Sequence, residues 1–387
     1  MRVAVVIRSL NMGGMQRSAV NLAESFAQAG HESHLIYFSE KNRVFTPAPS
    51  VKLHRFDLKK AAQLSIIGIF IDLLARLLNG IMRGSYFLWN GLFYSLLFQR
   101  RFKRLEAEYG PFDAVIIRGQ GTFETLWPIK DPRFFQITVS MFIPSGTVLK
   151  NFYFKRLYQD KNVIAISSAI KKKLLSLCAN THTHPRRIDV IANPLKIDFV
   201  RQTAEAYLPE MDDPYILSVS RITPNKNISL LIEAYNLLRS RDAITQKLVI
   251  IGTGHDMENV RSKADQSPYK DSILFIGQVS NPYPWMKRAD LFVLSSKLEG
   301  LGMVLLEALA CGTKVVSTRS ESGVMDIMKG ELSRYLCEQN PESMANVIEK
   351  ALCDGVELDF DTAIAPFSPD AITAQLENLF SSSQSAM

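Results

Sequence analysis

Glu299 and Glu307 are the residues of this sequence best placed to do chemistry, because of what lies between them. They bracket Glu299-Gly300-Leu301-Gly302-Met303-Val304-Leu305-Leu306-Glu307. Ahead of this stretch, residues 289–294 form an apolar run of strand length; within and after it, residues 304–310 lack Gly and Pro and are rich in helix formers. The order is strand, glycine loop, helix. Two glycines let a ligand approach the backbone, and the helix that follows offers unpaired N–H groups and the positive end of its dipole. A phosphate is the guest this suits. A carboxylate in the loop can accept hydrogen bonds from sugar hydroxyls, and one further along can take both hydroxyls of a ribose. Taken alone, the same stretch reads equally as a loop acid in water and a helix acid on a solvated face. The case therefore depends on what converges with it.

The elements around it supply that convergence. The second half alternates strands, at 215–219, 248–251, 273–276, 291–294 and 315–317, with helices, which predicts a parallel, doubly wound sheet. Right-handed crossovers put every strand-to-helix loop on one edge of such a sheet, where ligands bind. Arg221 and Lys226 flank the loop after the first of these strands, and Gly252-Thr253-Gly254 follows the second. Two cations, an accessible backbone and a helix tip on one edge would hold a diphosphate.

The first half has the same grammar. A strand at 3–7 and a helix at 16–28 are joined by a loop with Gly13-Gly14, which lacks the Gly-x-Gly-x-x-Gly spacing of a dinucleotide site despite Glu40 after the second strand, 34–38. Further strands are expected at 114–117, 135–139, 163–166 and 188–191, with a helix carrying Lys171-Lys172-Lys173. Lys150, Lys155, Arg156 and Lys161 extend a basic surface. Asn193-Pro194 ends this half, residues 195–212 read as a connector, and Ser368-Pro369-Asp370 starts a final helix.

Residues 61–105 stand apart. On a helical wheel Asp72, Arg76 and Arg83 fall together with Ser65 and Asn79, leaving a narrow polar stripe and a wide apolar face. Tyr86, Trp89, Tyr94 and several Phe follow, then Arg100-Arg101-Phe102-Lys103-Arg104. Aromatics ending in a basic cluster suit an interfacial membrane contact; the other reading is two buried helices of a large domain. The charge-free part, 84–99, is shorter than the roughly 20 residues a bilayer crossing needs.

A chain of 387 residues suits two domains rather than one core. Its four cysteines are scattered, which points to reduced thiols and away from a metal cluster. The apolar run after Met1-Arg2 is too short for a signal-peptide core. The net charge of +7 hides a split: residues 1–198 carry 28 Lys and Arg against 13 Asp and Glu, and the remainder 17 against 25. The first half thus faces something anionic: nucleic acid, an acidic membrane surface or a phosphorylated glycolipid.

These residues resemble the retaining, two-domain glycosyltransferases of sequence family 4, with the GT-B fold. The likeness is strongest over 216–318. Glu299 to Glu307, continuing to Gly312, is similar to that family's Glu-x7-Glu signature; Ser218-Val219-Ser220-Arg221-Ile222 with Lys226 is similar to its phosphate-binding loop. Ile250-Ile251-Gly252-Thr253-Gly254 and Phe275-Ile276-Gly277-Gln278-Val279 match two further loops, Asn11 to Arg17 the N-terminal glycine loop, and Val190 to Pro194 the segment that closes the first domain.

The resemblance implies an α/β protein of two Rossmann-like doubly wound domains facing across a cleft: an acceptor-side domain at 1–198, a nucleotide-sugar-binding domain at 199–365, and a tail at 366–387 that packs back on the first. It implies that Arg221 and Lys226 hold the donor diphosphate with the amides of Gly302, Met303 and Val304, and that Glu307 takes the ribose hydroxyls. Glu299 would contact the transferred sugar; Gly254 belongs to the donor loops, Gln278 and Val279 meet the nucleobase, and Gly14 closes over the donor. The sequence departs from the family at Gln16, where a Glu is common, and at 137–142, where Ile-Thr-Val-Ser-Met-Phe offers no His or Asp as a base. No Asp-x-Asp pair sits in a loop, so neither a metal nor another cofactor is expected.

The activity this implies is transfer of a hexosyl unit from a nucleotide sugar, a UDP sugar, to a glycan acceptor on lipid, as in lipopolysaccharide, O-antigen or capsule assembly. The expected setting is the cytoplasmic side of a membrane, touched through 61–105 and the basic first half, with no nucleic acid. Rival readings are a nucleotide-sugar 2-epimerase of the same architecture, which would convert donor without acceptor, and a non-catalytic membrane-associated subunit, which would have no use for Arg221 and Lys226.

Overall fold

Runs of Val, Ile and Ala without polar alternation are what strands covered on both faces require, and they form the centre of each sheet. The computed structural model describes residues 1–139 and 147–384, except for the side chains of 147–150 and 384. The chain divides into two units: residues 1–194 with the helix Pro369–Gln384, and residues 195–368. The boundary falls after Pro194, four residues before the expected one.

Among the described residues the first unit holds a seven-stranded parallel sheet. Its strands are β1 (Arg2–Ser9), β2 (Glu32–Ser39), β3 (Lys52–Arg55), β4 (Ala114–Arg118), β5 (Phe134–Thr138), β6 (Asn162–Ala165) and β7 (Arg187–Val190), in the order β3-β2-β1-β4-β5-β6-β7. The order reverses between β1 and β4, which places the loops after those two strands side by side. The helix Gly14–Gln28 begins in the first of these loops, two residues earlier than its apolar period announces. At the end of β4, Arg118 is fully buried and its Nη2 donates to Ser18 Oγ and to Asn193 Oδ1, both at 2.9 Å. Burial holds its guanidinium down to about 10.

The segment 61–105 splits in two. Helix Tyr86–Tyr109 is core: Tyr94, Phe98, Phe102 and Leu105 are buried, and Phe102 stacks on Phe98 and Phe112 with centroids 5.5 and 5.1 Å apart. Gly91 lets this helix sit against the Glu124 carbonyl and the Trp127 ring, where a Cβ would lie 2.3 Å from the oxygen. The later part of the aromatic run expected to meet a membrane therefore packs inward, while Tyr86, Phe87, Trp89 and Phe93 are half-buried. Helix Ile66–Ile81 does the opposite and is largely exposed. Lys161, expected on a basic surface, is buried as well: its Nζ donates to the carbonyls of Trp127 (2.8 Å) and Ile129, and burial pushes its ammonium down to about 8.

Helix Pro369–Gln384 completes this unit. Phe380 packs on Phe26 and Phe135 (6.3 and 4.8 Å between centroids), and Glu377 pairs with His31.

At the other rim, His34 Nδ1 lies 2.9 Å from His54 Nε2, beneath Tyr109 and Phe112, with Glu32 and Lys52 alongside. Burial, reinforced by the charges of His54 and Lys52 and opposed by Glu32, holds His34 down to about 4 from an ordinary 6.5. Above pH 6.5 both folded and unfolded chains keep His34 neutral. As pH falls toward 4 the unfolded chain takes up the proton first, so stability drops across that window, by on the order of 3 kcal/mol. Urea unfolding at stepped pH should show this slope in the native protein and a flatter one in His34→Asn. An unchanged slope in the variant would refute the assignment.

The second unit holds, among its described residues, a six-stranded parallel sheet: β8 (Tyr215–Val219), β9 (Lys247–Ile251), β10 (Ile273–Gly277), β11 (Leu291–Leu294), β12 (Val315–Thr318) and β13 (Leu336–Cys337), ordered β10-β9-β8-β11-β12-β13. Both units are therefore parallel-sheet and Rossmann-like, and in this one the switch lies between β8 and β11. The stretch 195–212 is not a plain connector, since it carries the helix Ile197–Thr203.

Candidate active site

The loops after β8 and β11 meet at the switch point and are sewn together by bonds to their backbone carbonyls. Lys297 N donates to Asn225 O, and Asn225 Nδ2 donates to Leu298 O, both at 2.8 Å; Ser295 Oγ donates to Lys226 O at 2.8 Å. This stitching fixes two side chains against each other. Lys226 Nζ is 2.5 Å from Glu299 Oε1, and Ser296 Oγ donates to that same oxygen at 2.6 Å. The pair is mostly withdrawn from water, with 19% and 13% of the two side chains exposed, so its charges are screened less than those of a surface pair. A lysine has three donors. Lys226 can hold Glu299 with one and an anion with another.

Past Glu299 the chain turns through Gly300 and Gly302. Gly302 has φ +96°, a left-handed conformation that favours glycine, and it precedes the helix Met303–Ala310 with no side chain capping the first amides. Gly323 N donates to Glu299 O at 3.3 Å and packs so closely that a Cβ there would lie 2.2 Å from Gly300 O. Met303 and Val304 are half-buried at the helix tip. Glu307 lies one turn below Met303, and its Oε1 is 3.4 Å from the Tyr283 hydroxyl.

The neighbouring loops continue the rim. Ile222 N donates to Thr253 O at 2.9 Å, and a Cβ on Gly254 would lie 1.9 Å from Ile222 O. Gly252 N donates to Gly277 O at 2.7 Å, and Thr253 Oγ1 lies 3.4 Å from Gln278 Oε1. Contacts thus tie Gln278 to Thr253 and Gly254 to Ile222, beside Arg221, and Lys226, in the same loop, to Glu299. Arg221 projects exposed from this corner. Gly14 belongs to the first unit, where it opens the helix Gly14–Gln28. Of the stretch 137–142, residues 140–142 lie outside the described residues. Sequence reasoning missed Asn225, Ser296, Tyr283 and Gly323 as supports. Ser296 sits three residues ahead of Glu299 and could have been found; nothing local marks Tyr283.

The fold likeness extends over the whole chain. Sucrose-phosphate synthase from Thermosynechococcus elongatus superposes with a TM-score of 0.70 at 18% identity, covering 100% of both chains. Anabaena HepE, solved in complex with UDP and glucose, gives 0.67 at 14% identity over 99% of this chain and 100% of that one. The fold is GT-B. Residues 200–363, all within the second unit, match the family model described as "Glycosyl transferases group 1".

Among sequence relatives, 29% identity over 210 residues is shared with an N-acetylgalactosaminyltransferase of Campylobacter jejuni that acts on N-acetylgalactosamine-N,N'-diacetylbacillosaminyl-diphospho-undecaprenol, covering 54% of this chain and 56% of that one. The lipopolysaccharide core biosynthesis glycosyltransferase LpsE of Rhizobium meliloti is 32% identical over 168 residues, 42% of this chain and 48% of that one. An alpha-monoglucosyldiacylglycerol synthase of Streptococcus pneumoniae is 34% identical over 105 residues, 26% and 23% of the two chains. The chain spans about half the length of the first two. The resemblance is to bacterial polysaccharide glycosyltransferases.

Proposed function

We propose that this protein transfers a hexosyl unit from a UDP sugar to a glycan acceptor carried on lipid, with retention of configuration. The observation that carries the reading is the Lys226–Glu299 pair, fixed at the switch point beside an uncapped helix tip. The diphosphate lies across Lys226, Arg221 and the amides of Gly302, Met303 and Val304; Glu307 takes the ribose hydroxyls, and Gln278 and Val279 meet the base. As the bond from the sugar's anomeric carbon to the phosphate oxygen breaks, these cations and amides stabilise the charge that collects on the phosphate. No metal or other cofactor is required for that. The acceptor oxygen forms its bond on the same face, and its proton passes to the departing phosphate, so no separate base is required. Glu299, paired with Lys226, lies where positive charge develops on the sugar.

The lipid carrier is supported by the names of two relatives, a transferase acting on a diphospho-undecaprenol-linked sugar and a synthase of monoglucosyldiacylglycerol. On this reading the reaction takes place on the cytoplasmic face of a membrane. The direct test is thermal unfolding against a panel of nucleotide sugars. At a hundred times the dissociation constant a ligand adds about 2.7 kcal/mol, a rise of about 5 °C or more in a unit of this size. The expected outcome is a rise with UDP sugars and little with other nucleotide sugars. A panel in which none shifts the transition would sink the reading. Epimerised donor formed without acceptor would replace transfer by isomerisation.

A further inference from the structure

The helix Ile66–Ile81 presents the wrong face to water. Two of its polar side chains tie it to the protein: Asp72 accepts from the Tyr86 hydroxyl and from the exposed Arg76 Nε (2.9 Å), and Asn79 Oδ1 accepts from the amides of Gly84 and Tyr86 at 3.0 and 3.1 Å, while Ser65 Oγ caps the helix at Gly68 N (3.3 Å). Gly68 and Ala75 are its buried residues, and Gly68 seats it on the Ala62 carbonyl, where a Cβ would lie 2.2 Å from the oxygen. Outward stand Ile66, Ile67, Phe70, Leu73, Leu77 and Ile81, each between 58% and 88% exposed. Water-soluble surfaces rarely leave a strip of this kind uncovered.

Charge says what covers it. Residues 58–105 hold eight Lys and Arg against one acid, Asp72, which is turned inward. Lys59, Lys60, Arg83, Arg100, Lys103 and Arg104 are all exposed. A second copy of the chain would bring the same cations against these, at a repulsive cost. An anionic bilayer complements both the apolar strip and the basic residues around it. Among the described residues no helix is long and apolar enough to cross a membrane. At 16 residues this one spans about 24 Å, short of a hydrocarbon core of about 30 Å, so it lies along the surface.

Tyr86 links this helix to a cavity of about 450 Å³ in the same unit. Tyr86, Phe87 and Tyr94 wall it together with Arg8, Lys41 and Lys59, and the Arg8 guanidinium lies 4.2 Å over the Phe87 ring. The acids of its lining are already engaged, Glu40 by Tyr37 and Arg43, Asp57 by Arg55 and the Lys60 amide. That leaves three cations and, with Phe38, four aromatic rings around one opening, chemistry that suits a phosphate joined to an apolar body.

We propose that helix Ile66–Ile81 embeds along the headgroup boundary of an anionic bilayer, and that the cavity beside it takes a phosphate borne on a lipid of that bilayer. The bilayer contact stands independently of the proposed function, which enters only in naming the phosphorylated acceptor lipid as the phosphate's carrier. Co-sedimentation of the full chain with vesicles tests both parts without any turnover, so a failure of sugar transfer does not bear on it. The vesicles are phosphatidylcholine alone, phosphatidylcholine with about a third phosphatidylglycerol, and the latter doped with a polyprenyl phosphate. Partitioning should be about tenfold stronger on the anionic vesicles than on phosphatidylcholine, and Ile67→Asp/Phe70→Asp/Leu73→Asp should lose about that factor with an unchanged thermal transition, since the replaced side chains are exposed.

Lys41→Ala/Lys59→Ala distinguishes the carriers. Loss confined to the extra retention on polyprenyl phosphate makes the acceptor lipid the carrier; an equal loss on phosphatidylglycerol vesicles makes it a bulk phospholipid. Native-like binding by the triple variant, or its conversion of a dimer to a monomer, would overturn the bilayer contact. Native-like binding by the lysine variant on both vesicles would overturn the cavity's role.

Discussion

Lys226→Ala and Glu299→Gln are each expected to lower the rate of sugar transfer by a factor on the order of 10²–10³, the effect of removing one charge-stabilising group from a site that excludes water. The two substitutions should part company on stability. Removing Lys226 strands Glu299, with 13% of its side chain exposed and the Ser296 hydroxyl as its remaining neighbour in the pair, at a cost of about 1–2 kcal/mol. Glu299→Gln leaves a lysine that can turn toward water and costs less. The double variant Lys226→Met/Glu299→Gln should therefore recover the thermal transition of the native protein while remaining inactive. Initial rates at saturating donor and a melting curve for each variant read both effects. Native rates in both single variants would end the proposal that this pair carries the reaction.

Gly252→Ala is the second large effect, and it acts through structure. The backbone at Gly252 has φ +138°, and an added Cβ would stand 1.8 Å from the Ser220 carbonyl oxygen, itself part of the backbone. Relief requires separating the loops after β8 and β9, which are joined by the bonds Ser220 N to Ile251 O (3.0 Å) and Ile222 N to Thr253 O (2.9 Å). A loss of about 3–4 kcal/mol is expected, lowering the transition by roughly 10 °C. Gly14→Ala is the contrast, for a Cβ there meets nothing within 4 Å, so its stability should stay within about 0.5 kcal/mol of native. A Gly252→Ala protein that melts with the native one would show that the loop yields at no cost.

The sheet centres were legible because their strands are buried on both faces and read as unbroken apolar runs; of the thirteen strands among the described residues eleven announce themselves, Arg187–Val190 by alternation and not by a run. Lys52–Arg55 does not, because an edge strand reading Lys-Leu-His-Arg has no apolar face and owes its form to pairing with β2. Leu336–Cys337 is too short to show a period at all. In the candidate site the Glu299–Glu307 stretch, Lys226 and the glycine loops could be read because chemistry constrains their types. The tie from Asn225 to Leu298 could not, since it depends on two strands distant in sequence being neighbours in the sheet. Buried cations misled most. Lys161 looks like any other lysine in a basic stretch, and its two carbonyl partners come from a turn thirty-odd residues away. Within 61–105 the helical wheel found the polar stripe and left open which way it faces, because a wheel shows which residues share a face and not what that face meets.

The return of Pro369–Gln384 to the first unit has a consequence for biogenesis. Phe26 and Phe135 sit beside Phe380, and Ile372, Leu376 and Phe380 are buried there. A ribosome delivers residues 1–194 first, yet their hydrophobic interior is left with an open seam until position 380 emerges. The later-made unit, 195–368, has its own sheet entire by then and can mature during that wait. The portion translated earliest is thus the last to be sealed, and a nascent chain stalled between the two moments would offer its unfilled seam to chaperones.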